Sequence, residues 1–234
     1  MDLLTLRASA RSKADEEATG FITDVELNRF LNQGNKLVYG KIVQTFEEYF
    51  LVKGSVGNGG LVSVSANQGE ITLPTGMLKL VRVERRNSGD TNENNWRKVT
   101  RLNIGNEQYN DQYTDRWGWE PGFGYYIAGS YLYLKPVPAG AFDLRMWIIP
   151  KCADMALDAD TPAVPSEYHE LVAEYGAIQC LAKSGEDIWK ERMDTFNLEL
   201  ANMLETVTHR VQEPQQMVIT ENSDLDMYPQ FPWS

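Results

Sequence analysis

His169 stands in the stretch VPSEYHELVAEYGA, residues 164–177, among Glu167, Glu170 and Glu174. An imidazole beside carboxylates is the raw material of an acid/base pair or a metal site. The string HELVAE resembles half of a zinc-protease helix motif, but the second histidine of that motif belongs at i+4, where Ala173 stands. One His with one Glu cannot hold the metal. The carboxylates also have a simpler reading. Pro165, Ser166 and Glu167 spell a helix start, with Ser166 capping the free N–H groups and Glu167 and Glu170 placed where the helix dipole favours negative charge. His169 is therefore expected to be structural, neither catalytic nor metal-ligating.

The other candidates for chemistry have equally plain readings. His209 falls near the end of a helical pattern, where the dipole favours a cation. Cys152 and Cys180 are far apart and lack metal-ligand spacing, which predicts buried free thiols rather than a zinc site or disulfide. GNGG at 57–60 lacks the Lys and helix start of a phosphate cradle, so it reads as a flexible turn. The sequence shows no nucleophile elbow, P-loop, dinucleotide fingerprint or Cys/His nucleophilic pair, so no catalytic, metal or cofactor-binding residues are expected.

What remains is a set of aromatics. Tyr109, Tyr113, Trp117, Trp119 and Phe123 crowd a loop-like segment, and Met227, Tyr228, Phe231 and Trp233 end the chain among prolines. Such side chains fold back as a small core, anchor a protein interface or stack on sugars. Trp117, Trp119, Met227, Tyr228, Phe231 and Trp233 are the candidate protein-interface residues.

The elements that would position these residues follow an α, β, α order. Leu3, Leu4, Leu6, Ala10 and Ala14 suggest a short helix, with ATG at 18–20 as its break. Thr23 and Glu26 have capping-box spacing ahead of a 3.6-residue apolar period, predicting a helix over about 24–51. Alternation and Gly/Asn turns then predict strands near 61–66, 70–73, 78–86, 97–101, 125–128, 131–135 and 142–149, with a tight hairpin at Gly129–Ser130. RRNSGDTNENNW reads as a polar loop that no packed core would want. Two helices follow. In the first, Tyr168, Leu171, Val172, Tyr175, Ile178 and Ala182 form an apolar stripe, while His169, Ala173, Gly176 and Cys180 form a narrow face of small residues. SGED at 184–187 joins it to a second helix running to about Arg210. The expected fold class is α+β: a helical core (N-terminal helical hairpin plus two C-terminal helices), an inserted antiparallel β region and an extended C-terminal arm. The boundaries are 1–51 and 151–210 for the helices, 52–150 for the β region with its aromatic loop, and 211–234 for a tail without the periodicity to fold alone.

Composition narrows the function classes. With 234 residues and 42% hydrophobic content the chain can fill a core. Its 33 acidic against 22 basic residues, net charge −11, argue against a protein that grips nucleic acid by neutralising phosphates. The amino end turns charged too soon for a signal peptide or membrane span, so the protein is expected to be made and kept in the cytosol.

Four stretches carry a resemblance: LTLRASARSKADEEATGFITDVELNRFLNQG, ITLPTGMLKLVRVER, YYIAGSYLYLKPVPAGAFDLRMWIIP and DTPAVPSEYHELVAEYGAIQCLAKSGED. In order and spacing the chain resembles the head–tail adaptor (connector) proteins of short-tailed phages. Segment 87–124 aligns to no shared pattern. The resemblance implies a non-enzymatic structural protein of the virion neck, assembled in the host cytoplasm, without a cofactor. It implies a homo-oligomeric ring of twelve copies that binds the portal protein on one side and tail or nozzle proteins on the other. Double-stranded DNA would pass through its channel without specific binding, and no membrane is involved. An acidic channel would repel phosphates and let the genome slide. The alternative is a carbohydrate- or receptor-binding virion component using the aromatic loop 109–126. A hydrolase with scattered carboxylates is a further rival that no spacing supports.

Overall fold

The computed structural model describes residues 1–15, 21–53, 61–103 and 123–209. Helix α1, Leu3–Lys13, starts at Asp2, whose carboxylate accepts from the Thr5 N–H at 2.8 Å. Helix α2, Asp24–Thr45, starts as its spacing predicts: Thr23 is extended and its hydroxyl accepts from the Glu26 N–H at 3.3 Å. It ends six residues short of the expected 51. Phe46 leaves the helix, and a 3₁₀ turn, Glu47–Phe50, brings the Phe50 ring onto Tyr39 with centroids 4.1 Å apart. Burying that aromatic pair outweighs the helical period that Phe46 and Tyr49 would continue.

Helix α3, His169–Ser184, is preceded by a 3₁₀ turn, Ser166–Tyr168. The expected Ser166 cap is not formed: neither the turn nor the helix has a side-chain cap, and the chain enters through Pro165 in an extended conformation. Gly185, at φ +81°, ends α3 in the left-handed region that glycine adopts without cost, and α4, Ile188–His209, follows. The small face of α3 does what its residues suggest. His169, Ala173, Gly176 and Cys180 are all buried. A Cβ on Gly176 would lie 2.7 Å from Leu31 Cδ2 and 3.4 Å from Ala10 Cβ, so α1 and α2 both approach α3 across a missing side chain. The stripe differs at one end, since Ala182 is exposed.

The β region forms two sheets. In the first, β1 (Val52–Lys53) and β2 (Leu61–Val64) both pair with β9 (Phe142–Pro150), which pairs with β4 (Met77–Asn87) and through it with β5 (Arg97–Lys98). In the second, the order is β3 (Glu70–Thr72), β8 (Tyr131–Lys135), β7 (Gly124–Ala128), β6 (Thr100–Arg101). All pairings are antiparallel except β6 with β7. Residues 129–130 make the two-residue hairpin turn between β7 and β8. The single strand expected at 97–101 is split between the sheets. Val99 is the crossing point, buried and donating its N–H to Val83 O at 2.8 Å.

Two hydrophobic cores result. One gathers Leu6, Leu27, Leu31, Ile42, Val172, Ile178, Phe196 and Met203 from the four described helices. The other lies within the β region and includes Val64, Ile71, Val83, Tyr125, Leu132, Leu144 and Met146. Strand β9 serves both, because Ile148 joins the second core and its neighbour Ile149 the first. The Tyr39 hydroxyl donates to Pro150 O at 2.7 Å across that junction, and Asn32 holds both backbone polar groups of Met155. Cys180 is buried and in no disulfide, as expected, whereas Cys152, just past β9, is only half-buried, with burial still pushing its thiol up to about 11. No described helix is long and apolar enough to cross a membrane.

Candidate interaction surfaces

His169 lies against the amino end of the chain. Its Nε2 donates to Val164 O at 3.0 Å, which fixes the tautomer, and its Nδ1 accepts from the Met1 amino group at 2.7 Å. Burial outweighs these contacts and holds the imidazole below its ordinary 6.5, so the ring is neutral near pH 7. The nearby glutamates tie helices together. Glu174 takes Arg192 of α4 in a two-pronged pair, Nε at 2.9 Å and Nη2 at 3.0 Å, and Arg192 Nη1 also donates to Lys13 O at 2.6 Å. Glu170 reaches Lys13 at 2.9 Å and Ser9 Oγ at 3.2 Å, and the Lys13 and Ser9 groups hold its carboxyl below the usual range. Three helix ends are thus pinned at one corner. Among the described residues no three His, Cys, Asp or Glu side chains gather as a metal site would require.

The aromatic interface candidates Trp117, Trp119, Met227, Tyr228, Phe231 and Trp233 lie outside the described residues, as do Tyr109, Tyr113, the break at 18–20 and the 57–60 turn. His209 is the last residue of α4.

Sequence reasoning passed over a charged layer on the first sheet. In β9 the side chains alternate, so Leu144 and Met146 enter the β core while Arg145 and Trp147 face the other way. Glu84 of β4 stands directly opposite Arg145, and Arg82 opposite Trp147. Arg145 Nε donates to Glu84 Oε2 at 2.7 Å, and its Nη1 to Glu93 Oε2 at 2.8 Å. Trp147 Nε1 donates to the same Glu84 oxygen at 2.9 Å, and Arg82 pairs with the other. The Trp96 ring meets both Arg145, at 4.3 Å, and Arg86, at 4.5 Å. The stretch read as a polar loop avoided by any core thus supplies Glu93 and Trp96 to cover this face. Only the alternation of charged and apolar residues in LKLVRVERR and DLRMWII hinted at it.

Burial works to raise Glu84, but the hydrogen bonds from Trp147 and Arg145 and the charges of Arg145 and Arg82 prevail and hold it below 4.5. It is 1% exposed and Arg145 and Arg86 are each 9% exposed, so these three are packed, while their partners Arg82 and Glu93 stay open to solvent. On the helical body, Leu4, Val25 and Leu157 are exposed around a network in which Arg7 pairs with Asp24 and Asp158.

No curated protein matches the chain. The family model of the SU10 adaptor protein matches residues 1–220, spanning both cores, and the chain belongs to this family of phage head–tail adaptors.

Proposed function

We propose that this protein is a non-enzymatic structural component of the virion neck, whose copies close into a ring of twelve between the portal protein and the tail or nozzle proteins. The observation that carries the reading is the family match over residues 1–220. Its charge supports the same picture: at −11 the chain favours a channel that DNA phosphates traverse without sticking. No cofactor takes part, and assembly takes place in the host cytoplasm. A cyclic ring needs two different complementary patches on each subunit. The division of labour we propose gives 1–51 and 151–210 the helical core, 52–150 the β region with its aromatic loop, and 211–234 a docking tail. Trp117 and Trp119 would contact a neighbouring subunit or tail protein. Met227, Tyr228, Phe231 and Trp233 would anchor the tail in a groove of the portal or a neighbour, with Pro229 and Pro232 lowering the entropy lost on docking.

The test is the mass of the full-length chain alone and mixed with portal rings. A complex of twelve copies per portal ring is expected. A chain that never joins portal rings would overturn the reading.

A further inference from the structure

The outer face of the first sheet carries charge that its own ion layer does not use. Cross-strand register sets two rows on that face: Lys53, Trp147 and Arg82 in one, and Arg145, Glu84 and Lys98 in the next. Arg82 and Arg145 are taken by Glu84, and the two oxygens of Glu93 pair with Arg145 and Arg86. Lys53 and Lys98 remain. Both are exposed, and neither has an ion pair among the described residues, although Glu93 feels the charge of Lys53. Lys53 Nζ stands 5.7 Å from the centroid of the Trp147 ring, which is only half-buried. Two lysines without carboxylates, flanking an accessible tryptophan, form a patch opposite in sign to the chain's net charge of −11.

The complementary face is on α4. Phe196, Leu200, Met203 and Val207 turn inward to the helical core, so Glu191, Asp194 and Leu198 follow one another along the opposite side. Glu191 and Asp194 are exposed and have no ion pair among the described residues, whereas Asp187 and Lys190 neutralise each other at the helix start. A solvated helix face accounts for the carboxylates but not for Leu198, which is 64% exposed beside them. Spacing agrees on the two faces: Leu198 lies about 6 Å along the helix from Asp194, and Trp147 lies one strand from Lys53, about 5 Å. Helix α4 packs on α2 and α3, so its outer face points away from its own β region. We propose that the outer face of the first sheet receives the outer face of α4 from a second copy of this chain. Leu198 then lies against Trp147, with Glu191 and Asp194 in the field of Lys53 and Lys98. This rests on the ring reading above, and supplies the two unlike patches that a head-to-tail contact needs.

The experiment measures ring formation by the full-length protein in sedimentation, with and without portal rings. Lys53→Glu with Lys98→Glu should weaken it by about tenfold or more, and Glu191→Lys with Asp194→Lys should do the same. All four changes combined in one chain restore opposite signs across the contact and should recover most of the loss. Leu198→Ser, which changes no charge, should weaken the rings as well. These side chains are exposed, so every variant should keep the wild-type melting midpoint. Rings formed equally well by either charge variant would overturn this inference and leave the ring intact. A combined chain no better than its two parts would also overturn it, by assigning the faces to portal or tail proteins. Absence of rings in the wild type, alone and with portal, would overturn both readings. A lysine variant that keeps its rings but no longer retains a short DNA duplex held by the wild type would overturn it in favour of phosphate.

Discussion

Replacing Glu84 with leucine tests whether the buried ion layer specifies the β region. The substitution removes the acceptor of Arg145 Nε and of Trp147 Nε1, and leaves Arg145, 9% exposed, with Glu93 as its remaining carboxylate. A buried charge stripped of its partner costs about 3–5 kcal/mol. Because the Glu93 side chain is 70% exposed and still bonds Arg145, the lower end applies, about 3 kcal/mol. Arg145→Met should cost about as much, since Glu84 is then left with Arg82 and Trp147. The double variant Glu84→Leu, Arg145→Met places two apolar side chains directly across the strands and should lose no more than either single change. That gives a coupling of about 3 kcal/mol in a double-mutant cycle. Urea unfolding followed by tryptophan fluorescence reads it directly, because Trp96 and Trp147 sit in the layer. Glu84 also carries a pH signature. Its folded pKa lies below the ordinary 4.5, so its contribution is present above pH 4.5 and lost as pH falls through the folded value. Glu84→Leu should flatten that acid limb. A single-variant cost under about 1 kcal/mol, or additive costs in the double variant, would refute the reasoning.

Four other outcomes are expected. Burial keeps His169 below 6.5, so its contribution is complete above pH 6.5 and declines as pH falls toward the folded value; His169→Gln should remove that part of the stability profile, read by thermal melts across pH. Gly176→Val should destabilise by about 1–3 kcal/mol in urea melts, because the added side chain drives into Leu31 and Ala10, and a neutral result would mean the helices can spread. A chain ending at Gln212 should keep nearly unchanged helix content by circular dichroism yet fail to join portal rings; unimpaired joining would put the contact in the folded body. In the full-length chain, Tyr228→Ala with Trp233→Ala should weaken joining by about 2–4 kcal/mol, measured by sedimentation with portal rings.

The order of elements was readable before any coordinates, because it depends on signals a few residues long. Thr23 caps α2 through Glu26, three residues on; the alternation of β7 and β8 brackets a two-residue turn; and Ala173, Gly176 and Cys180 announce a face that other helices approach. The family, too, was legible in the order and spacing of four stretches. The interface aromatics were picked by composition and fall outside the described residues. Where competing partners lie far along the chain, local pattern could not decide. Helix α2 stops at Thr45 because Phe50 folds back onto Tyr39; Ser166 gives up its cap to a 3₁₀ entry; and the run 97–101 divides at Val99 because two sheets compete for it. Glu84 and Arg145 are 61 residues apart in sequence and meet only through the register of β4 on β9, as Arg85 meets Arg97 only through β5. By itself, then, the sequence determined which segments are helix and strand and which faces are apolar, since those are local free energies. Only the tertiary structure decided which charges become buried neighbours, since strand register and sheet partner are settled by the packing of the whole β core.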